Sequence, residues 1–66
     1  MINTDLFDFY LVKSGLKIGY ICDRLGITRQ AFGYKRKGKL PFKKAEQYVL
    51  CDLLHITDDK DAIFLP

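Results

Sequence analysis

The stretch KIGYICDRLGITRQAFGYKRKG, residues 17–38, decides how the rest of the chain is interpreted. Apolar residues at positions 18, 21, 22 and 25 recur at steps of three and four residues, which is the spacing of one helix face. Gly26 interrupts this pattern, and a second one begins after Thr28. The spacing therefore predicts a helix over roughly residues 17–25, a tight turn, and a helix over roughly residues 29–37.

The turn between these two helices contains residues that suit its backbone. Gly26 can adopt the left-handed conformation that ends a helix, because it has no Cβ to clash. Thr28 can cap the second helix by accepting a hydrogen bond from a free backbone N–H. We expect Leu25, Ile27 and Phe32 to form a core shared by both helices.

Helical patterns also appear on both sides of this stretch. The first helix is predicted to begin at Asn3 or Thr4 and to end at Ser14-Gly15, and the fourth covers roughly residues 43–54. A last short turn over residues 58–62 can be capped by Thr57. In the fourth helix the expected buried stripe is Ala45, Val49 and Leu53, and in the first it is Leu6, Phe7, Tyr10 and Leu11. Phe9 and Val12 either are exposed or belong to a broader buried stripe.

The whole chain of 66 residues is expected to form one domain. Its predicted fold class is all-α, a compact bundle of four to five short helices. Phe42, after Pro41, is expected to pack against the core as an anchor. The apolar residues 63–66 either fold back onto the core or meet another subunit.

The net charge of +3 is distributed unevenly along the sequence. Residues 1–16 carry −1, residues 17–44 carry +8, and residues 45–66 carry −4. Such a basic run is either a solvated face or, when it is segregated onto one surface, a binding surface for phosphate groups. The basic side chains that suit phosphate contacts are Lys17, Lys35, Arg36, Lys37, Lys39, Lys43 and Lys44.

Several other classes of protein do not fit the sequence. No apolar run approaches the ~20 residues of a membrane span, and the first residues do not resemble a signal peptide, so we expect a cytoplasmic protein with no membrane partner. Cys22 and Cys51 are expected to be structural thiols, and His55 is expected to lie at a helix end. Because the carboxylates are scattered and the glycines lack phosphate-loop spacing, we expect no enzyme activity, no cofactor and no metal site.

The turn and its flanks resemble the helix-turn-helix of bacteriophage repressors of the Cro and lambda-repressor type. The shared pattern is a small residue, Cys22, followed after three residues by Gly26, Ile27 and Thr28, and then by an apolar residue, Phe32. Flanking segments are also similar to small Cro-like regulators: residues 14–17, the basic loop 35–39, residues 41–42 and residues 53–57. The resemblance implies a lambda-repressor-like bundle that binds DNA.

The resemblance also implies which side chains contact bases. In the family, residues at the front of the third helix enter the major groove, and the corresponding positions are Thr28, Arg29, Gln30, Gly33 and Tyr34. Arginine can pair with guanine, glutamine can pair with adenine, and tyrosine can contact a thymine methyl or a phosphate. Gly33 departs from the family, which more often has a side chain there. This glycine either lets the helix approach DNA or another backbone closely, or is neutral.

The sequence is compatible with three functions from different classes. The first is a transcription regulator, a Cro-like repressor that binds double-stranded operator DNA with its third helix, as a homodimer if the resemblance extends to assembly. The second is a protein-binding modulator, an antirepressor or co-repressor, that docks its basic face with Gly33 and Tyr34 onto a partner phage repressor. The third is a structural subunit whose exposed aromatic side chains serve assembly alone.

Overall fold

The computed structural model describes residues 2–65, and this part of the chain forms five α-helices and no β-strand. The helices are α1 (Thr4–Ser14), α2 (Ile18–Leu25), α3 (Arg29–Arg36), α4 (Lys44–Leu54) and α5 (Lys60–Phe64). The predicted all-α bundle is confirmed, and the first four helices lie close to their expected positions. The last helix differs, because it begins at Lys60 without a side-chain cap and extends to Phe64. The expected cap at Thr57 was wrong.

Short-range interactions set the ends of the helices as the sequence predicted. Thr28 Oγ1 accepts a hydrogen bond of 3.1 Å from the N–H of Ala31 at the start of α3. Gly26 ends α2 in the left-handed region with φ of 70°. His55 ends α4 in the same region with φ of 54°, although it carries a Cβ.

Four phenylalanine rings form the centre of the core. Phe7, Phe32, Phe42 and Phe64 come from α1, α3, the segment before α4, and α5, and all four are buried. Neighbouring ring centroids in this group lie 5.5–6.3 Å apart. The expected anchoring role of Phe42 is therefore confirmed. Around the rings lie further buried apolar side chains: Leu11, Ile21, Cys22, Leu50, Leu54, Ile56 and Ile63.

Several apolar side chains that could have belonged to the core lie at its edge or outside it. Phe32 is buried as predicted, whereas Leu25 and Ile27 are only half-buried at its edge. On α1, Phe9 and Val12 are 56% and 77% exposed, so they do not belong to a broad buried stripe. These two side chains give α1 an apolar outer surface.

The buried stripe of α4 is shifted by one residue from the predicted one. Ala45 is exposed, and Val49 and Leu53 are half-buried. The buried side chains are instead Glu46, Leu50 and Leu54. The prediction was wrong because both stripes have helical spacing and because a carboxylate is normally excluded from a buried face.

Glu46 can be buried because Lys35 neutralises it. The Nζ of Lys35 lies 2.7 Å from Glu46 Oε1, and each side chain is 10% exposed. The same oxygen accepts a hydrogen bond of 2.9 Å from the backbone N–H of Lys43. Burial acts to raise the pKa of Glu46, but the hydrogen bonds and charges of the two lysines outweigh it and lower the pKa overall. The ammonium of Lys35, which was predicted to contact phosphate, is therefore already occupied inside the protein.

The two ends of the described chain meet. The N–H of Asn3 donates to the carbonyl of Ile63 over 2.7 Å, and Ile63 and Phe64 are buried. Of the two alternatives for residues 63–66, the fold-back is the one observed for Ile63 and Phe64, while Leu65 is exposed and Pro66 lies outside the described residues. Tyr10 adds a hydrogen bond of 2.5 Å to Asp59. The N-terminal and C-terminal elements thus stabilise each other.

Replacing Glu46 by alanine should strongly destabilise the protein. The variant leaves the buried ammonium of Lys35 without a partner, so the free energy of unfolding should fall by about 3–5 kcal/mol. As a control, Asp8→Ala breaks the exposed Arg36–Asp8 pair and should cost less than about 1 kcal/mol. Denaturant unfolding measures both changes. The double variant Lys35→Met with Glu46→Leu should regain most of the unfolding free energy that Glu46→Ala loses. If Glu46→Ala and Asp8→Ala lowered the free energy of unfolding equally, the role of burial would be contradicted.

The same ion pair should make stability depend on pH in the acid range. The pKa of Glu46 in the folded state lies below the ordinary value of 4.5, so its contribution is complete above that value and is lost as the pH falls through the folded-state pKa. Between about pH 5 and about pH 3, the wild-type protein should therefore lose more unfolding free energy than the Lys35→Met, Glu46→Leu double variant. If the free energy of unfolding of the two proteins fell equally over this pH range, Glu46 would not be the group responsible.

Candidate nucleic-acid interface

The outer side of α3 carries exposed polar side chains, because Phe32 fixes the opposite side in the core. Of the five residues predicted to contact bases, four are exposed and Gly33 is half-buried. The exposed four are Thr28, Arg29, Gln30 and Tyr34. Thr28 also caps the helix, and its hydroxyl keeps a hydrogen to donate because the oxygen is the acceptor in that bond. We call the surface formed by Arg29, Gln30, Tyr34, Lys37 and Lys39 the α3 face.

Gln30, Tyr34 and Lys39 are in contact along the α3 face. Gln30 Nε2 donates a hydrogen bond of 3.3 Å to Tyr34 Oη, one helical turn away. The Nζ of Lys39 lies 6.0 Å from the centroid of the Tyr34 ring, and the N–H of Lys39 donates to the Tyr34 carbonyl over 2.9 Å. Tyr34 therefore connects a candidate base-contacting side chain to a candidate phosphate-contacting loop.

Arg29 lies against the first turn of α2. A Cβ added to Gly19 would be 2.6 Å from Nη2 of Arg29, so the guanidinium occupies the space that the missing side chain leaves. Burial raises the pKa of the Cys22 thiol nearby, and the charge of Arg29 opposes this rise. Sequence reasoning did not select Gly19. The available signal was a glycine within a helix, which is unfavourable unless a neighbour needs the space.

Gly33 lies on the side of α3 that faces α1. It lines a groove of about 390 Å³ together with Thr4, Asp8, Arg36 and Lys37. A Cβ added to Gly33 would meet no atom within 4 Å, so packing inside this protein does not require glycine here. The two alternatives for this position, close approach of a partner and neutrality, both agree with the open space.

The predicted phosphate-contacting side chains fall into three groups. Five of them are exposed and have no ion pair within residues 2–65: Lys17, Lys37, Lys39, Lys43 and Lys44. Arg36 Nε lies 2.8 Å from Asp8 Oδ1, but the two side chains are 37% and 43% exposed, so solvent screens this pair. Lys35 is buried with Glu46. Along the chain, the five exposed lysines lie at the start of α2, after α3 and at the start of α4, and Lys37 and Lys39 belong to the α3 face.

Comparison of the chain with protein-family models, with curated proteins and with solved structures finds no match. Every helix described between residues 2 and 65 is too short or too polar to cross a membrane. Over the same residues, the His, Cys, Asp and Glu side chains form no group of three or more that could hold a metal ion.

Replacing Gly33 by alanine should stabilise the protein. The methyl group enters open space, and alanine favours a helix over glycine by ~1 kcal/mol, so the free energy of unfolding should rise by about that amount. Gly26→Ala is the matched control, because a residue with a Cβ at φ of 70° should lower stability by about 1–2 kcal/mol. Thermal and denaturant unfolding of the two variants measure the difference. A destabilised Gly33→Ala protein would show that the groove is not open.

Proposed function

We propose that this protein is a sequence-specific DNA-binding transcription regulator that resembles the Cro-type phage repressors. In this proposal α2 and α3 act as a helix-turn-helix, and α3 reads operator DNA in the major groove. The observation that carries the proposal is the separation of the two sides of α3. Phe32 is buried in the core, whereas Arg29, Gln30 and Tyr34 are exposed, as are five lysines that have no ion pair within residues 2–65.

The dimensions and chemistry of α3 support this function. An α-helix with its side chains is about 10–12 Å across, which suits a major groove about 12 Å wide, and the eight residues of α3 make about two turns. Arginine and glutamine are the side chains that most often pair with guanine and adenine. The residue before them, Thr28, retains a hydroxyl hydrogen that can reach a phosphate or a base.

The exposed lysines supply the part of binding that does not depend on sequence. Lys17 lies at the start of α2, Lys37 and Lys39 follow α3, and Lys43 and Lys44 begin α4. Contacts from such positions to phosphates fix the orientation of a protein on DNA and leave base selection to the recognition helix. The proposal extends to a homodimer on paired half-sites and to action in the cytoplasm, both by resemblance to the family.

A second candidate function is a protein-binding modulator that docks onto a partner phage repressor. Phe9 and Val12 favour it, because two large apolar side chains next to each other on α1 are exposed on a small domain. The two candidates differ in how binding responds to salt. Association with DNA releases one condensed counterion for almost every phosphate contacted, whereas docking of the basic face with Gly33 and Tyr34 onto a protein should depend more weakly on salt.

The first test is a salt titration of the purified protein on DNA fragments from its own genetic neighbourhood. If the five exposed lysines contact phosphates, the binding constant should fall as salt is added. A plot of the logarithm of the binding constant against the logarithm of the salt concentration should have a slope of about −4 to −5. Replacing Lys43 or Lys44 by alanine should reduce the slope by about one. Lys13→Ala, which removes an exposed lysine on the outer side of α1, is the control and should leave it unchanged.

Base selection is tested separately with Arg29→Ala and Gln30→Ala. These variants should change which fragments are retained while leaving the salt slope close to the wild-type value. An unchanged fragment preference would contradict the assignment of α3 as the recognition helix. A folded wild-type protein that retains no fragment selectively would favour the partner-binding candidate.

A further inference from the structure

The contact between Gln30 and Tyr34 limits how Gln30 can meet a base. We propose that Tyr34 is a positioning residue that holds the carboxamide of Gln30, so that the pair selects an adenine and rejects a guanine at one position of the operator. This inference rests on the proposed function, because it names the base that the α3 face would read. It follows from the hydrogen-bonding groups that the contact uses and leaves free.

The hydrogen bond to Tyr34 restricts the rotation of the Gln30 side chain. Gln30 is exposed, and a free glutamine side chain rotates about three torsions, which costs entropy when a base fixes it. Here its Nε2 is bonded to Tyr34 Oη at 3.3 Å. The Tyr34 ring has few torsions of its own and is covered on one face by the ammonium of Lys39 at 6.0 Å. The carboxamide is thus held before any base arrives.

The hydrogen bond to Tyr34 also determines which donors and acceptors the Gln30 amide can offer to a base. A glutamine amide has two N–H donors on Nε2 and an acceptor on Oε1. Tyr34 uses one donor, so the amide can present one N–H and one oxygen outward. Adenine offers the complementary acceptor N7 and donor N6–H in the major groove, whereas guanine offers two acceptors, N7 and O6. With one donor already used, Gln30 cannot give two hydrogen bonds to guanine, and its oxygen would oppose O6.

The residues near Gln30 also affect how its side chain can contact a base. Arg29, which precedes Gln30 in the sequence, lies against Gly19 of α2. Gly33, three residues after Gln30, has no side chain that could compete for the base edge.

The test uses the variant Tyr34→Phe, which keeps the ring beneath Lys39 and removes only the hydroxyl. The probes are the retained DNA fragment and versions in which single A·T base pairs are replaced by G·C base pairs. In the wild-type protein one position should show a strong preference for adenine that Gln30→Ala abolishes. Tyr34→Phe should reduce the adenine-over-guanine affinity ratio at that same position by about two- to tenfold and leave the other positions and the salt slope unchanged. Adding Tyr34→Phe to Gln30→Ala should then cause no further change in that ratio.

Other outcomes would overturn the inference. Uniform weakening of all fragments by Tyr34→Phe would show that Tyr34 contacts a phosphate and does not position Gln30. An unchanged ratio at the Gln30 position would show that the hydrogen bond has no role in selection. Thermal unfolding verifies that each variant is folded. Failure of the proposed function is distinguishable, because then the wild-type protein itself would retain no fragment selectively.

Discussion

The structure depends on the packing of four phenylalanine rings. A domain of this size buries only ~60% of the surface that its unfolded chain exposes, so a few large side chains must provide much of the burial. Phe7, Phe32, Phe42 and Phe64 do this from four separate parts of the chain, with the ring of Phe7 in contact with the other three. Because Phe32 belongs to α3, the same packing fixes which side of that helix faces solvent.

The buried ion pair extends this constraint to the segment between α3 and α4. A buried pair gains little net stability over an apolar pair of similar size, since both charges lose their hydration. Its effect here is geometric, because Glu46 binds Lys35 on α3 and the backbone N–H of Lys43 at the start of α4. The loop that carries Lys37 and Lys39 is therefore held at both ends. The Nζ of Lys35 also lies 6.0 Å from the Phe42 ring centroid, which joins the ion pair to the aromatic core.

Features set by neighbouring residues could be predicted from the sequence, and features set by distant ones could not. Gly26 and Thr28 determine the turn through their own backbone and side chain, so the limits of α2 and α3 were close to those observed. The buried side of α4 depends on Lys35, which lies on another helix, and no periodicity in residues 44–54 reveals it. The position of Arg29 depends in the same way on Gly19. Four of the five residues predicted to contact bases are exposed at α3, whereas the contacts among their side chains required the structure.

The basic residues of the segment 17–44 fall into two groups. Lys35 and Arg36 point to Glu46 and Asp8 and stabilise the arrangement of α3 with α4 and α1. The remaining basic residues of the segment 17–44 are exposed and free of ion pairs within residues 2–65. Of the acidic residues in the C-terminal part, Glu46 binds Lys35, and Asp59 accepts a hydrogen bond from the Tyr10 hydroxyl, which raises the pKa of that tyrosine. An uneven distribution of charge steers a protein toward a polyanion before contact is made. In the proposed function the same asymmetry brings the α3 face to DNA, and only then can Gln30 and its neighbours distinguish one base from another.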